Sequence, residues 1–221
     1  MTQNKLTVLL TGGSGLLGTE LQKRLKAYPQ FDVFAPTHKE FDITKLNLYE
    51  NKYTFIPDVV IHAAAWTDLV SAEKKGNRQK VYDLNVRATD NLVRAFASSY
   101  FVYISTEYVY NYKLNYYSYT KAVAEEVVKH HRCNLIVRTL FKPRPFPHDA
   151  AFTDQYTRGD YVDVIAPMIL YRVINGDTGI ANIGTERKTI YDLALETRPF
   201  IKKISVDSIK GVKLPKDYLT A

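Results

Sequence analysis

Residues 115–126 read NYYSYTKAVAEE, three tyrosines and a lysine followed by a helical pattern. Tyr117 and Lys121 stand four residues apart, which on a helix puts both side chains on one face within reach of each other. Tyr119 points away from that face. A free phenol has a pKa near 10 and exchanges protons reluctantly at neutral pH. An ammonium about 4 Å away contributes on the order of 4 kcal/mol at an effective dielectric of about 20, an upper bound that lowers the phenol pKa by up to roughly 3. Such a pair suits proton exchange with a carbonyl. With 17 tyrosines in the chain, however, about one Tyr-x-x-x-Lys pair arises by chance. The surroundings must decide its role.

A second chemical signal is TGGSGLLG, residues 11–18, between an apolar run, KLTVLL (5–10), and a helical pattern, GLLGTELQKRLKAY (15–28). Gly12, Gly15 and Gly18 are spaced three apart, Gly13 is extra, and Leu16 and Leu17 open the helix. Glycines at such a turn let the backbone approach a pyrophosphate, whose charge is met by amides at the helix N-terminus. A tight turn without ligand is the plainer reading, and placement after the first strand favours the dinucleotide. The second strand ends in APTHKEFD, with His38 and Lys39 at its tip and no acid before Glu40. A carboxylate there accepts the ribose hydroxyls of NAD and repels the extra phosphate of NADP. The tip therefore leans towards NADP, with NAD kept open, unless His38 and Lys39 are only exposed loop residues.

The elements that must position these groups alternate along the chain. Strand patterns occur at 5–10, 31–36, 58–64, 101–106 and 134–140. Helical patterns occur at 15–28, at 78–98 and in the segment carrying Tyr117, with a polar helix or turn at 44–54. This rhythm predicts an α/β fold with a parallel, doubly wound sheet. Residues 141–159 are proline-rich and read as a long loop. A helix (160–174), a short strand (179–184), a helix (188–197) and a lysine-rich end follow.

A chain of 221 residues with 46% apolar content can bury one substantial core, and we expect a single structural unit. The single cysteine, Cys133, excludes an internal disulfide and fits a reducing cytosol. The first apolar run ends at the glycine turn, short of signal or membrane length. A cytoplasmic protein without a membrane partner is expected. Net charge is +7, but lysines and arginines are scattered and no nucleic-acid motif accompanies them, so no nucleic-acid partner is expected.

Taken together, TGGSGLLG, IHAAAWTDLVSAE, LNV, YISTEYVY, YSYTKAVAEE and VRT resemble, in order, the motifs of extended short-chain dehydrogenases/reductases. Within these, the dTDP-4-dehydrorhamnose reductase group is closest. STEYVY resembles its S-T-D-Y-V-F segment, FTDQYTRGDYVDVIA its D-Q-x-G-x-P-T-Y-x-x-D-L-A segment, and KLPKDY its terminal R-P-x-x-S-x-L region. The resemblance implies a Rossmann-like dinucleotide-binding core over residues 1–140, with a reduced substrate-binding portion, 141–221, packed on it. It implies Thr106, Tyr117 and Lys121 as the catalytic set, with Ser105 as the alternative hydroxyl. Asn85 would support the lysine through a water, Asp42 would meet the adenine edge, and Ala63, Ala64 and Ala65 would line the cofactor groove. The implied reaction is NAD(P)H-dependent reduction of a 4-keto deoxy sugar on a nucleotide. No metal is implied, and a homodimer is compatible.

Tyr117 follows Thr106 by only eleven positions, about a dozen fewer than relatives usually have, and the segment from Arg138 to Asp154 is also short. Two other readings therefore stay open. One is a dinucleotide-binding subunit without turnover, as in the regulatory subunit of methionine adenosyltransferase. The other is sugar-nucleotide epimerase or dehydratase chemistry.

Overall fold

The computed structural model describes residues 5–46 and 56–217. Its first half runs β1 (Leu6–Thr11), α1 (Leu16–Leu25), β2 (Phe31–Phe34), β3 (Val59–His62), α2 (Leu69–Ala72), α3 (Arg78–Tyr82), α4 (Ala88–Ala95), β4 (Tyr100–Ile104), α5 (Tyr116–Lys129) and β5 (Asn134–Arg138). There follow β6 (Phe141–Lys142), β7 (Ala150–Phe152), β8 (Tyr156–Thr157), β9 (Asp160–Tyr161), α6 (Val162–Ile174), β10 (Gly179–Asn182), β11 (Lys188–Thr189), α7 (Ile190–Leu195) and β12 (Lys202–Ile204).

Six strands form one parallel sheet in the order β2-β1-β3-β4-β5-β10. The chain builds outward from β1 to β2, then returns to β3 on the other side of β1. That reversal opens a crevice at the carboxyl ends of β1 and β3, where open α/β sheets hold their ligands. Strand side chains alternate between faces. Val8 and Leu10 of β1, with Ile61, Val102 and Leu135, meet Leu17, Leu21 and Leu25 of α1 and Ile165, Ile169 and Val173 of α6. On the other face Leu9, Val60, Phe101 and Ile136 meet Leu92 of α4 and Ala124 and Val128 of α5. Covering both faces explains why the inner strands read as apolar runs rather than as alternating patterns. A third cluster joins Tyr108, Tyr117 and Leu140 to Phe146, Ala151, Tyr161, Ile190 and Leu193, so the start of α5 is packed against the C-terminal part of the chain.

Three expectations are refined. The helix expected over 78–98 is α3 and α4 joined by a π-helical turn at Asp83–Arg87, which carries Asn85 and Val86 into the interior. Such turns are frequent at functional sites. The proline-rich stretch is not structureless: β6 pairs with β9, β7 with β12 and β8 with β11. β6 stops at Lys142 because Pro143 lacks the N–H that a longer ladder needs. The lysine-rich end supplies β12, and Gln155 Nε2 donates to the Pro215 carbonyl at 3.1 Å, fastening the chain end to the DQ segment. Of the polar helix or turn expected at 44–54, a 3-10 turn at Ile43–Lys45 is seen and residues 47–54 lie outside the described residues. Among the described residues no helix is long and apolar enough to cross a membrane.

Candidate active site

The glycines of the β1–α1 loop divide into two kinds. Gly12 has φ +73°, and a Cβ on it would lie 2.6 Å from the Ala64 amide nitrogen; one on Gly18 would lie 2.1 Å from the Gly12 carbonyl oxygen. Both are required for the loop to pass over the end of β3. At Gly15 the nearest atom to an added Cβ is the Gly12 oxygen at 3.2 Å, a tight contact but far less than the clashes at Gly12 and Gly18. Gly15 is the N-cap of α1 and no side chain caps that helix. Its first-turn amides are therefore available to an anion.

Across the crevice, α5 is started by Asn115, whose side-chain oxygen accepts from the Ser118 amide at 2.8 Å. Such a cap stabilises a helix by about 1 kcal/mol. It fixes the register that turns Tyr117 and Lys121 inward, at 8% and 2% exposure, while Tyr119 is 43% exposed. Lys121 Nζ donates to the Ile104 carbonyl at 2.7 Å and sits 4.0 Å from the centre of the Tyr103 ring. Burial pulls its pKa down to about 7.

The Tyr117 pKa moves opposite to the lowering expected from Lys121. Burial pushes the Tyr117 phenol well above its ordinary pKa, Tyr108 adds to the rise, and the Thr106 hydroxyl opposes it. The lysine is turned to a backbone carbonyl and is itself losing its charge by desolvation. At neutral pH Tyr117 carries its proton, as an ordinary phenol does, and burial makes it a weaker acid.

A linked pH effect follows. The folded protein sheds the Lys121 proton near pH 7, whereas the unfolded chain sheds it near 10.4. Between these values the unfolded state binds more protons, so stability rises with pH across that window. Lys121→Met is expected to flatten that rise in thermal midpoints measured from about pH 7 to about pH 10, leaving the part contributed by Lys142, whose pKa burial also lowers.

Of the two hydroxyls after β4, Ser105 is committed elsewhere. It donates to Glu125 Oε1 at 2.5 Å, and Glu125 is held by Arg138 at 2.6 Å. Thr106 accepts from the Tyr108 amide at 3.2 Å and its hydroxyl bears on the Tyr117 phenol.

A cavity of about 650 Å³ brings these parts together. Its wall includes Gly12, Gly15, Leu16, Leu17, Gly18, His38, Ala63, Ala64, Ala65, Thr106, Tyr117 and Lys121. Three expected residues are not in that wall. Lys39 is exposed, because Glu40 folds back to accept from the Thr37 amide at 2.8 Å and closes the turn with only His38 facing in. Asp42 caps the 3-10 turn, accepting from the Thr44 amide at 3.0 Å, and pairs with Lys45 at 3.1 Å. Asn85 lies behind the wall, where its side chain accepts from the Trp66 amide at 2.7 Å and donates to Thr120 Oγ1 at 3.0 Å. It ties the segment after β3 to the residue preceding Lys121.

Among the wall residues not singled out from sequence are Tyr108, Thr139, Lys142 and His148. Tyr108 and Thr139 stood within the quoted STEYVY and VRT motifs, so a signal existed for them. Lys142 and His148 stood in the proline-rich stretch, which carried none. The described wall holds four basic side chains, His38, Lys121, Lys142 and His148, and no Asp or Glu. A wall with nitrogen donors and no carboxylate suits an anionic ligand. Among the described residues no three His, Cys, Asp or Glu side chains gather as metal ligands.

Comparison with known proteins agrees with this architecture. The model of one family, the RmlD substrate binding domain, matches residues 6–141. The chain belongs to the RmlD substrate-binding-domain family. It is 33% identical over 120 residues to a dTDP-4-dehydrorhamnose reductase of Aggregatibacter actinomycetemcomitans, a match covering 52% of this chain and 40% of that protein. It is 28% identical over 161 residues to the GDP-6-deoxy-D-talose 4-dehydrogenase of the same organism, covering 64% of this chain and 52% of that one. The chain thus spans about half or less of the curated relatives it matches. Among solved structures, dTDP-4-dehydrorhamnose reductase of Bacillus anthracis in complex with NADP superposes with a TM-score of 0.85 at 22% identity, covering 99% of this chain and 90% of that one. This similarity extends the RmlD-type fold across the whole described chain. The sequence match to the RmlD family ends at Phe141, one residue before Lys142.

Proposed function

We propose that this RmlD-family chain binds NAD(P)H and reduces a keto group on a nucleotide-linked deoxy sugar, with NADPH preferred. The observation that carries the reading is the meeting of Thr106, Tyr117 and Lys121 with the β1–α1 glycine loop in one cavity whose described wall has no carboxylate. The cofactor fits the residues present: Gly15 leaves the turn open, α1 offers uncapped amides, and His38 rather than an acid faces in from the end of β2.

A bound nicotinamide supplies the hydride in this chemistry. The protein's part is to hold the carbonyl and deliver a proton. Tyr117, protonated at neutral pH as an ordinary phenol is, donates to the carbonyl oxygen as negative charge develops there. The Thr106 hydroxyl donates a second hydrogen bond to the same oxygen. Lys121 anchors the dinucleotide, and the approach of an anion favours its charged form. A positioned acid contributes typically 10²–10⁴-fold, with the remainder coming from alignment.

A second reading, a dinucleotide-binding subunit without turnover, draws support from one feature. The short segment after Thr106 folds as 3-10 turns over Glu107–Leu114 and places the Tyr108 ring edge-on to Tyr117, with centroids 6.4 Å apart. A panel of 4-keto sugar nucleotides with NADPH separates the two. We expect NADPH oxidation with at least one of them; tight NADPH binding with no consumption across the panel selects the subunit. NADPH is also expected to bind more tightly than NADH, by a margin that narrows with salt because His38 is exposed. His38→Ala is expected to reduce that margin by about fivefold, the ~1 kcal/mol of an exposed contact to a charge, and Lys39→Ala to leave it unchanged. Equal affinities for the two cofactors in the unmodified protein count against the NADPH preference.

A further inference from the structure

The segment that follows β5 holds charge that the hydride chemistry does not use. Lys142, in β6, is half-buried, and among the described residues its ammonium has neither an ion-pair nor a hydrogen-bond partner; burial alone acts on it. Other shielded charges of this chain are paired, Arg138 with Glu125 at 2.6 Å and Lys188 with Asp160 at 2.8 Å. Lys142 is different.

His148 stands close enough to feel the Lys142 charge, and its ring is edge-on to Phe146 with centroids 5.6 Å apart. The neighbouring carboxylate, Asp149, is turned to Arg198 at 2.9 Å. Thr139, just upstream, has a buried hydroxyl without a partner. All three side chains line the same cavity, and Pro143 and Pro147 line it between the two basic residues. Their fixed backbone dihedrals hold the pair apart at little entropic cost. A desolvated cation of this kind is retained at a cost unless an anion completes it.

We propose that Lys142 and His148 form a phosphate-binding subsite distinct from the glycine loop, with Thr139 as a hydroxyl donor beside it. An ammonium, an imidazole whose pKa burial and the Lys142 charge hold down, and a hydroxyl suit a diphosphate, which offers several acceptor oxygens at once. The diphosphate of a nucleotide-linked sugar is one source, and that assignment rests on the function proposed above. The dinucleotide's own phosphates are the other source of the same chemistry.

The test is calorimetric titration of the unmodified protein, Lys142→Gln and His148→Gln with inorganic pyrophosphate, dTDP and NADPH. We expect Lys142→Gln to weaken pyrophosphate and dTDP at least tenfold and His148→Gln to weaken them about threefold, with NADPH within twofold. The thermal midpoint of Lys142→Gln should not fall, because an uncompensated charge is being removed; a lysine kept for packing alone gives the opposite. Loss of NADPH affinity instead, with dTDP unchanged, assigns the same subsite to the dinucleotide. Loss of dTDP in a protein that never binds NADPH upholds the subsite and defeats the reductase reading. Unchanged affinity for all three probes in both variants, or no pyrophosphate or dTDP binding by the unmodified protein with NADPH unaffected by Lys142→Gln, overturns the subsite and leaves the reductase reading standing.

Discussion

Tyr117→Phe is expected to cut turnover by two or more orders of magnitude while leaving NADPH affinity within about twofold. The substitution removes one oxygen and keeps the ring, which packs edge-on against Tyr108 and within the cluster of Leu140, Phe146 and Tyr161. Packing is thus preserved and proton delivery is lost. The raised pKa of the phenol gives the same expectation its direction: Tyr117 is protonated at neutral pH, ready for reduction, and the reverse oxidation requires a proton it releases with difficulty. Tyr119→Phe serves as the control, since that side chain faces outward on the same helix. A comparable loss in both variants, or none in either, removes Tyr117 from the proposed chemistry.

Gly15→Asp is expected to lower dinucleotide affinity at least 100-fold, ~2.7 kcal/mol, in a protein that still folds. Gly15 has φ −74° and ψ 170°, a conformation any residue adopts, and an added Cβ meets only the Gly12 oxygen, at 3.2 Å. Aspartate is moreover a favoured N-cap, so it would satisfy the first-turn amides of α1 itself. In doing so it fills and charges the position that a pyrophosphate needs. Gly18→Ala provides the contrast: its Cβ would stand 2.1 Å from the Gly12 oxygen, so there the fold itself yields. Circular dichroism and titration with NADPH distinguish the two losses. Native-like spectra with unaltered NADPH affinity in Gly15→Asp contradict the pyrophosphate assignment.

The parallel sheet was legible because its inner strands are buried on both faces and must be apolar runs, and β3 is VVIH with every residue buried. The inward face of α5 was legible because a four-residue spacing fixes it. The Tyr117 pKa was not, since it depends on burial by Phe146, Tyr161 and Ile190, which are distant in sequence. Which neighbour of the His38–Lys39 pair faces the cavity was equally hidden, being decided by the Glu40 side chain folding back on Thr37. The contacts of Asn85 were hidden too: the π-helical turn directs its side chain to Trp66 and to Thr120, the residue before Lys121. Lys142 and His148 could not be singled out at all. A lysine without a counter-ion looks like any other lysine until the fold shows what surrounds it.

Hydride transfer is tested most directly by single-turnover reaction of NADPH dideuterated at nicotinamide C4 with a 4-keto sugar nucleotide, followed by mass analysis of the sugar. One deuterium on the reduced carbon for each NADPH consumed is expected, with that transfer slowed by two or more orders of magnitude in Tyr117→Phe. Bound NADPH that keeps both deuteria across the substrate panel contradicts the reductase reading.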